Sequence, residues 1–302
     1  MADLTDLERT RHLVDLLAPA RKTRIVDIGA NPINDNPYAP LLDIGAAEVW
    51  GFEPQTEAFD KLVARNAPDE HYVNAAVGKG GTGTLNICAS SGTSSLLTPN
   101  VDAMDAVTGW HKYFEVVGTV DVETKRLDNI AEIPEFDLLK IDVQGAEREV
   151  FTYGKKRLST ALAVITEVAA IPLYEDQPLL GDQMVLLGKL GFDLHKFLFW
   201  KDVVLRSKYL NGMRRRRMRT QLVDGDAVFV RDLLHLKDME TERLKHLTLL
   251  ADAVFESFDM VLYCLEILED RGVLTEAAIR TYVARMPYQR DPQPRLVESV
   301  GQ

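Results

Sequence analysis

Acidic side chains stand where apolar runs stop at three places in the chain. Asp27-Ile28-Gly29-Ala30-Asn31 closes the run that begins at Arg24, Phe52-Glu53-Pro54 closes the run that begins at Glu48, and Lys140-Ile141-Asp142-Val143-Gln144-Gly145-Ala146-Glu147 follows Phe136. A charge at the end of a buried strand is costly and needs a reason, and open α/β sheets bind ligands at the carboxyl ends of their strands. Glu53 is placed to accept both hydroxyls of a ribose, which is the chemistry of a nucleotide cofactor. A dinucleotide would also want G-x-G-x-x-G, so that a helix N-terminus meets its pyrophosphate. Here Gly29 is followed by Ala30-Asn31-Pro32-Ile33-Asn34, with no second or third glycine. S-adenosylmethionine has no phosphate and needs no such cradle. Glycine at position 29 would let a ligand approach the backbone closely. Asp142 is read as aiming its carboxylate into the mouth of the cleft, Gly145 as permitting a tight entry to the next helix, and Glu147 as an acid favoured in the first helical turn by the helix dipole.

These residues need elements to hold them. Leu4, Leu7, Val14 and Leu17, near helical spacing, predict a helix over 3–17. Apolar runs predict strands over 24–29, 48–54, 71–78, 136–143 and 161–168. Helices are expected over 38–45, over 56–66 with Thr56 as N-cap, from about 146, and over 179–190. The stretch 80–122 breaks this alternation with strands at 83–88 and near 116–123 and a Ser/Gly/Thr loop at 90–95. Segments 195–200 and 227–230 read as a closing antiparallel edge hairpin, 235–286 as wholly helical, and the tail from Pro287, with its three prolines, as irregular. Strands alternating with helices predict an α/β protein with a mainly parallel sheet covered on both faces. The division expected is a cofactor-binding domain over 1–232 and a helical C-terminal extension over 233–302.

With these motifs in order, the chain resembles the FkbM family of S-adenosylmethionine-dependent methyltransferases. The resemblance spans about residues 22–232 and also takes in Ala75-Ala76-Val77-Gly78, Ser94-Ser95-Leu96, Ile165-Thr166-Glu167-Val168 and Asp226-Ala227-Val228-Phe229-Val230-Arg231. It implies a Rossmann-like class I methyltransferase fold, S-adenosyl-L-methionine as cofactor, and O-methylation of a hydroxyl on a sugar, polyketide or other small molecule. Cofactor contacts are implied for Asp27, Gly29, Ala30, Asn31, Glu53 and Pro54, with Ala76 and Val77 walling the adenine. The implied reaction is an in-line displacement at a sulfonium methyl, for which alignment of the partners supplies up to roughly 7–11 kcal/mol. A hydroxyl acceptor also benefits from a general base; Asp142 is the first candidate and Glu167 the second, while His111 and His195 are weaker candidates, a lone histidine being more often structural. The chain departs from the family's usual pattern at Pro32-Ile33-Asn34, where a glycine is usual, and at Gln144, where an acid is frequent. No metal ligand is assigned.

A net charge of −11 and a pI of about 5.1 make nucleic acid a poor default partner. Cys88 and Cys264 belong to no Cys-x-x-Cys pattern and read as buried, reduced thiols of a cytoplasmic protein. The opening Met1-Ala2-Asp3-Leu4-Thr5-Asp6 lacks the basic start and apolar core of a signal peptide. The apolar stretch 247–268 is broken by Asp252, Glu256, Asp259 and Glu266, so it reads as amphipathic helix and not as a membrane span. These late helices are expected to pack on the sheet, with a homodimer face or an acceptor lid as alternatives. Arg214-Arg215-Arg216-Arg217, with Arg219, is either a solvated loop or a grip on a phosphorylated or carboxylated acceptor. Two other functions compete: a nicotinamide-dependent oxidoreductase, which the missing glycines oppose, and a Rossmann-like interaction module without catalysis.

Overall fold

The computed structural model describes residues 4–31 and 36–288. The altered segment Pro32-Ile33-Asn34 and the tail beyond Tyr288 lie outside the described residues. Helix α1 (Leu4–Leu17) leads into β1 (Thr23–Ile28), followed by α2 (Ala39–Asp43), β2 (Ala47–Phe52), α3 (Thr56–Val63) and β3 (Glu70–Val73). The middle of the chain holds β4 (Ala76–Val77), β5 (Gly81–Cys88), α4 (Val101–Ala106), α5 (His111–Phe114) and β6 (Val116–Lys125). Then come β7 (Leu138–Ile141), α6 (Glu147–Thr152), α7 (Lys155–Leu158), β8 (Ala163–Ala169), α8 (Leu180–Lys189), β9 (Phe192–Val203) and β10 (Gln221–Arg231). Three helices close the described chain: α9 (Thr241–Ala253), α10 (Phe258–Asp270) and α11 (Glu276–Val283).

Seven strands form one sheet in the order β3-β2-β1-β7-β8-β10-β9. The pairs from β3 to β8 are parallel, and β10 runs antiparallel to both β8 and β9. The closing hairpin is therefore folded so that its second strand lies inside and β9 forms the edge. The irregular middle stretch makes a second, three-stranded sheet in the order β4-β6-β5. The strand expected over 71–78 is divided between the two sheets, because the Ala75 N–H turns back onto the Val73 carbonyl at 3.0 Å and ends β3 there. Thr56 is the first helical residue of α3 and not its cap; Gln55, whose N–H is held by Glu53 Oε1, occupies the cap position. Helix α4, unexpected from periodicity, starts at Asn100, whose side chain accepts the N–H groups of Asp102 and Ala103.

Side chains alternate between two cores, one on each face of the sheet. Ile25, Leu138, Ile165 and Val228 face one core, and Val26, Leu139, Val164 and Phe229 face the other. The first core also takes Leu247, Leu250, Val261, Leu265 and Leu268 of α9 and α10, so the late helices share one apolar interior with the sheet. Asp252 ties these helices to the start of the chain. One of its oxygens accepts Arg9 Nε at 2.9 Å and Tyr282 Oη at 2.6 Å, and the other accepts Thr10 Oγ1 at 2.6 Å. Both cysteines are buried and unpaired. Among the described residues, no helix is long and apolar enough to cross a membrane.

Candidate active site

Parallel strands bring the three acid-bearing motifs to one edge of the sheet. Register places Asp27 beside Lys140 on neighbouring strands, and Lys140 Nζ lies 3.1 Å from Asp27 Oδ1. The other Asp27 oxygen accepts the hydroxyl of buried Tyr38 at 2.6 Å. Lys140 also reaches the Gly29 carbonyl at 3.3 Å, so this pair fixes the loop that leaves β1. Burial pulls the Lys140 ammonium toward release, but the Asp27 and Asp142 carboxylates outweigh it and raise its pKa above the ordinary lysine value. Gly29 has φ +83°, and a Cβ there would lie 1.9 Å from the Asp142 carbonyl oxygen. Glycine is thus demanded by the neighbouring strand, and not, as the sequence suggests, by a ligand alone.

Glu53 follows β2 and is 2% exposed. Oε1 accepts the Gln55 N–H at 2.8 Å, and the Asn74 amide holds the Glu53 carbonyl at 3.0 Å. A carboxylate so fixed keeps further acceptor sites for a ligand. Burial raises its pKa, and the Gln55 N–H opposes the rise.

Beyond β7 the chain turns through Gln144 and Gly145, both at positive φ (+55° and +99°). Gln144 Nε2 donates to Asp142 Oδ1 at 2.7 Å and to Glu167 Oε2 at 3.1 Å, bridging the two candidate bases. Tyr174 Oη sits 3.0 Å from Gln144 Oε1 and 2.8 Å from the Thr93 carbonyl, and Ser95 Oγ donates to the Gln144 carbonyl at 2.6 Å. Glu147 turns back to accept the Val143 and Gly145 N–H groups at 3.2 and 3.1 Å. Pairing of Ile141 with Thr166, and of Asp226 with both Glu167 and Phe199, sets Asp142, Glu167, Asp226 and Phe199 in one row. Burial, then the charge of Asp142, pushes the Asp226 carboxyl up to about 6. Burial and the same neighbours hold the Glu167 carboxyl well above the usual carboxylate range.

One cleft runs along this edge. Gly29, Asn31, Glu53, Pro54, Ala76 and Val77 line it, as does Asp142. Asp27, Ala30 and Glu167 do not: Asp27 is buried against Tyr38 and held by Lys140, which does line the cleft, Ala30 is buried, and Glu167 is bonded to the far side of the Gln144 amide. The Ser/Thr loop contributes Ser91, Ser94 and Ser95, and Leu85 and Leu96 add apolar wall. Asp226 also lines the cleft; in the sequence it opens the Asp226-Ala227-Val228-Phe229-Val230-Arg231 stretch of the resemblance, which assigns it no site role. None of Arg214, Arg215, Arg216 or Arg217 lines it.

The lining chemistry fits S-adenosylmethionine better than a dinucleotide. Among the described lining residues, Glu53, Asp142 and Asp226 are acidic, and the cation present, Lys140, is already paired with Asp27. A pyrophosphate would face these carboxylates without a free cation, whereas a sulfonium nucleoside brings positive charge to them.

Fold and cleft together define a nucleoside-dependent transferase on the class I methyltransferase fold. The chain matches the family described as "Methyltransferase FkbM domain" over residues 27–194, more than half its length. It belongs to that family, whose cofactor is S-adenosylmethionine. It is 41% identical over 63 residues to the 2-O-methyltransferase NoeI of Sinorhizobium fredii (strain NBRC 101917 / NGR234), a stretch covering 20% of this chain and 26% of that protein. The match thus spans about a quarter of that relative's length. Among solved structures, the chain is similar to a magnesium protoporphyrin IX methyltransferase from Synechocystis PCC 6803, with TM-score 0.36, 11% identity, and 76% and 80% of the two chains covered. It is also similar to a 1,6-didemethyltoxoflavin-N1-methyltransferase from Burkholderia thailandensis, with TM-score 0.36, 10% identity, and 76% and 78% covered.

Proposed function

We propose that this methyltransferase O-methylates a hydroxyl of a small molecule, a sugar hydroxyl foremost, with Asp142 as general base. The observation that carries the reading is the seat of Asp142. Its backbone packs directly on Gly29 of the cofactor loop, and the residue also lines the cleft. A base there stands at the junction between the cofactor half of the edge (β1, β2) and the acceptor half (β7, β8, β10). The partial relative's activity, that of a 2-O-methyltransferase, supports methylation at oxygen.

S-adenosylmethionine, when bound, supplies an electrophilic methyl on sulfur. Glu53 would hold the ribose hydroxyls, Ala76 and Val77 the adenine, and Gly29, Ala30, Asn31 and Pro54 the shape of the cofactor half. Asp27 acts through Tyr38 and Lys140, which hold the loop in place. Asp142 would take the proton of the acceptor hydroxyl, freeing that oxygen to accept the methyl group that the cofactor would supply. Glu167, held toward its protonated form and linked to Asp142 through Gln144, positions that base rather than replacing it.

Asp142→Asn should lower kcat by about 10²–10⁴-fold, the usual contribution of a general base. Calorimetry should show S-adenosylmethionine affinity within about threefold of wild type, well under the tenfold that 1.4 kcal/mol represents. A labelled-methyl assay against sugars, glycolipids and polyketide fragments reads the turnover. Wild-type kcat in the Asn variant, or a label found on nitrogen or carbon, would sink the reading. Tight NAD binding in the same calorimeter would restore the oxidoreductase, and binding of neither cofactor would favour the interaction module.

A further inference from the structure

The loop between β9 and β10 is chemically unlike the rest of the molecule. Residues 204–220 carry Arg206, Lys208, the run 214–217 and Arg219, and no acid, in a chain of net charge −11. The loop is ordered. Arg206 N–H binds the Ala106 carbonyl at 2.7 Å, Leu205 pairs with Val107, Leu210 is buried, and Arg219 holds Asp202 at 2.9 Å. Arg214, Arg215, Arg216 and Arg217, all exposed, have no acidic partner among the described residues. Large apolar side chains are exposed between and beside them: Tyr209 (74%), Met213 (56%), Leu205, Met218 and Leu222. Arg215, Arg216 and Arg219 also share a shallow pocket with Trp110.

Position gives this surface its meaning. Strand β9 is antiparallel to β10, and β10 to β8, so β9 runs with the parallel strands. The loop therefore leaves the sheet at the carboxyl edge, beyond the row of Asp142, Asp226 and Phe199, on the same edge as the cleft.

We propose that this loop docks the protein onto an anionic membrane surface, with the cleft edge turned toward the bilayer. Arginines interspersed with exposed apolar side chains match the two demands of a lipid interface, phosphate headgroups outside and acyl chains just beneath. A soluble polyanion would use the arginines and leave Tyr209, Met213 and Met218 in water. Beside Trp110, Arg215 and Arg216 offer guanidinium donors to a headgroup phosphate, while Arg219 in the same pocket is held by Asp202, which also lines it. Taken with the methyl-transfer reading, on which this half rests, the acceptor hydroxyl belongs to a lipid-anchored molecule presented from that membrane.

The test is flotation of the full chain with vesicles of phosphatidylcholine alone and of phosphatidylcholine mixed with phosphatidylglycerol. Expected is association at least about tenfold stronger with the anionic vesicles, weakened by salt. Replacing residues 214–217 by alanine should abolish it, and Met213→Ser with Met218→Ser should weaken it, while calorimetry with S-adenosylmethionine stays at wild-type affinity in both variants. Equal association with both vesicles, none with either, or undiminished binding by either variant overturns the proposal. Retention on heparin without vesicle binding overturns it in favour of a soluble polyanion. Vesicle binding is read without an acceptor, so its failure leaves the role of Asp142 standing, and failure of the Asp142 test leaves the docking result standing.

Discussion

Glu147 heads α6 with its carboxyl 1% exposed, held by two backbone N–H groups. Burial and the nearby Asp142 charge push it up to about 7, against the pull of those donors. The sign of the consequence follows from proton counting. Between pH 4.5 and 7 the unfolded chain ionises this glutamate while the native state keeps the proton, so this group's contribution to stability falls as pH rises through that window. Glu147→Gln removes the titration and keeps an acceptor for the N–H groups. Across that window the wild-type melting temperature should fall further than the variant's, by on the order of 5 °C. Thermal melts of both proteins that run parallel across the window would show that Glu147 does not titrate there. The residue read from sequence as helix-end electrostatics is thus also the clamp of the Asp142–Gly145 turn. Gln144 is the larger surprise at this scale. Its identity was visible as a departure from the family pattern, but its bridge between Asp142 and Glu167 needs strands β7 and β8 side by side.

At the scale of elements, the late helices are held by the same core that backs the site. Leu250 of α9 is fully buried in the core that contains Ile25 of β1 and Leu138 of β7, the strands carrying Asp27 and Lys140. Leu250→Ala should lower unfolding free energy by about 2–5 kcal/mol. Urea unfolding measures this, and a loss below about 1 kcal/mol would mean that α9 packs more loosely than its burial indicates. The insertion of β10 between β8 and β9 belongs to the same scale. It puts Asp226 one strand from Glu167, a juxtaposition that two strands read simply as a hairpin did not specify.

For the whole molecule, the boundary at residue 232 is a proposal about where the sheet domain ends. The shared core argues that a chain ended there would not fold alone. It would expose the faces of Ile25, Val49, Leu138 and Ile165 that α9 and α10 help cover, and it would leave Arg9 buried beside an absent Asp252. Such a truncation should give no cooperative melt and no S-adenosylmethionine binding. A sharp transition at the wild-type temperature would show that the extension is an independent unit.

Apart from α4 and the division of 71–78 into two strands, the sequence by itself determined the alternation of strands and helices that builds the main sheet, the break between 80 and 122, and the three acidic motifs. Each of these is local: buried strands read as apolar runs, and the charges that end them stand out against that background. It also carried the family, because Lys140-Ile141-Asp142-Val143-Gln144-Gly145-Ala146-Glu147 is one contiguous stretch. Only the tertiary structure decided which of the acids share a wall. Asp27 and Glu53 both end strands, yet Asp27 is closed off by Tyr38 and Lys140 while Glu53 opens onto the cleft. Asp142 and Asp226 meet the same cleft from 84 positions apart in the chain. The physical reason is that a side chain's exposure and charge environment come from its neighbours across the sheet. Those neighbours are set by strand order and register, which no local stretch of sequence contains.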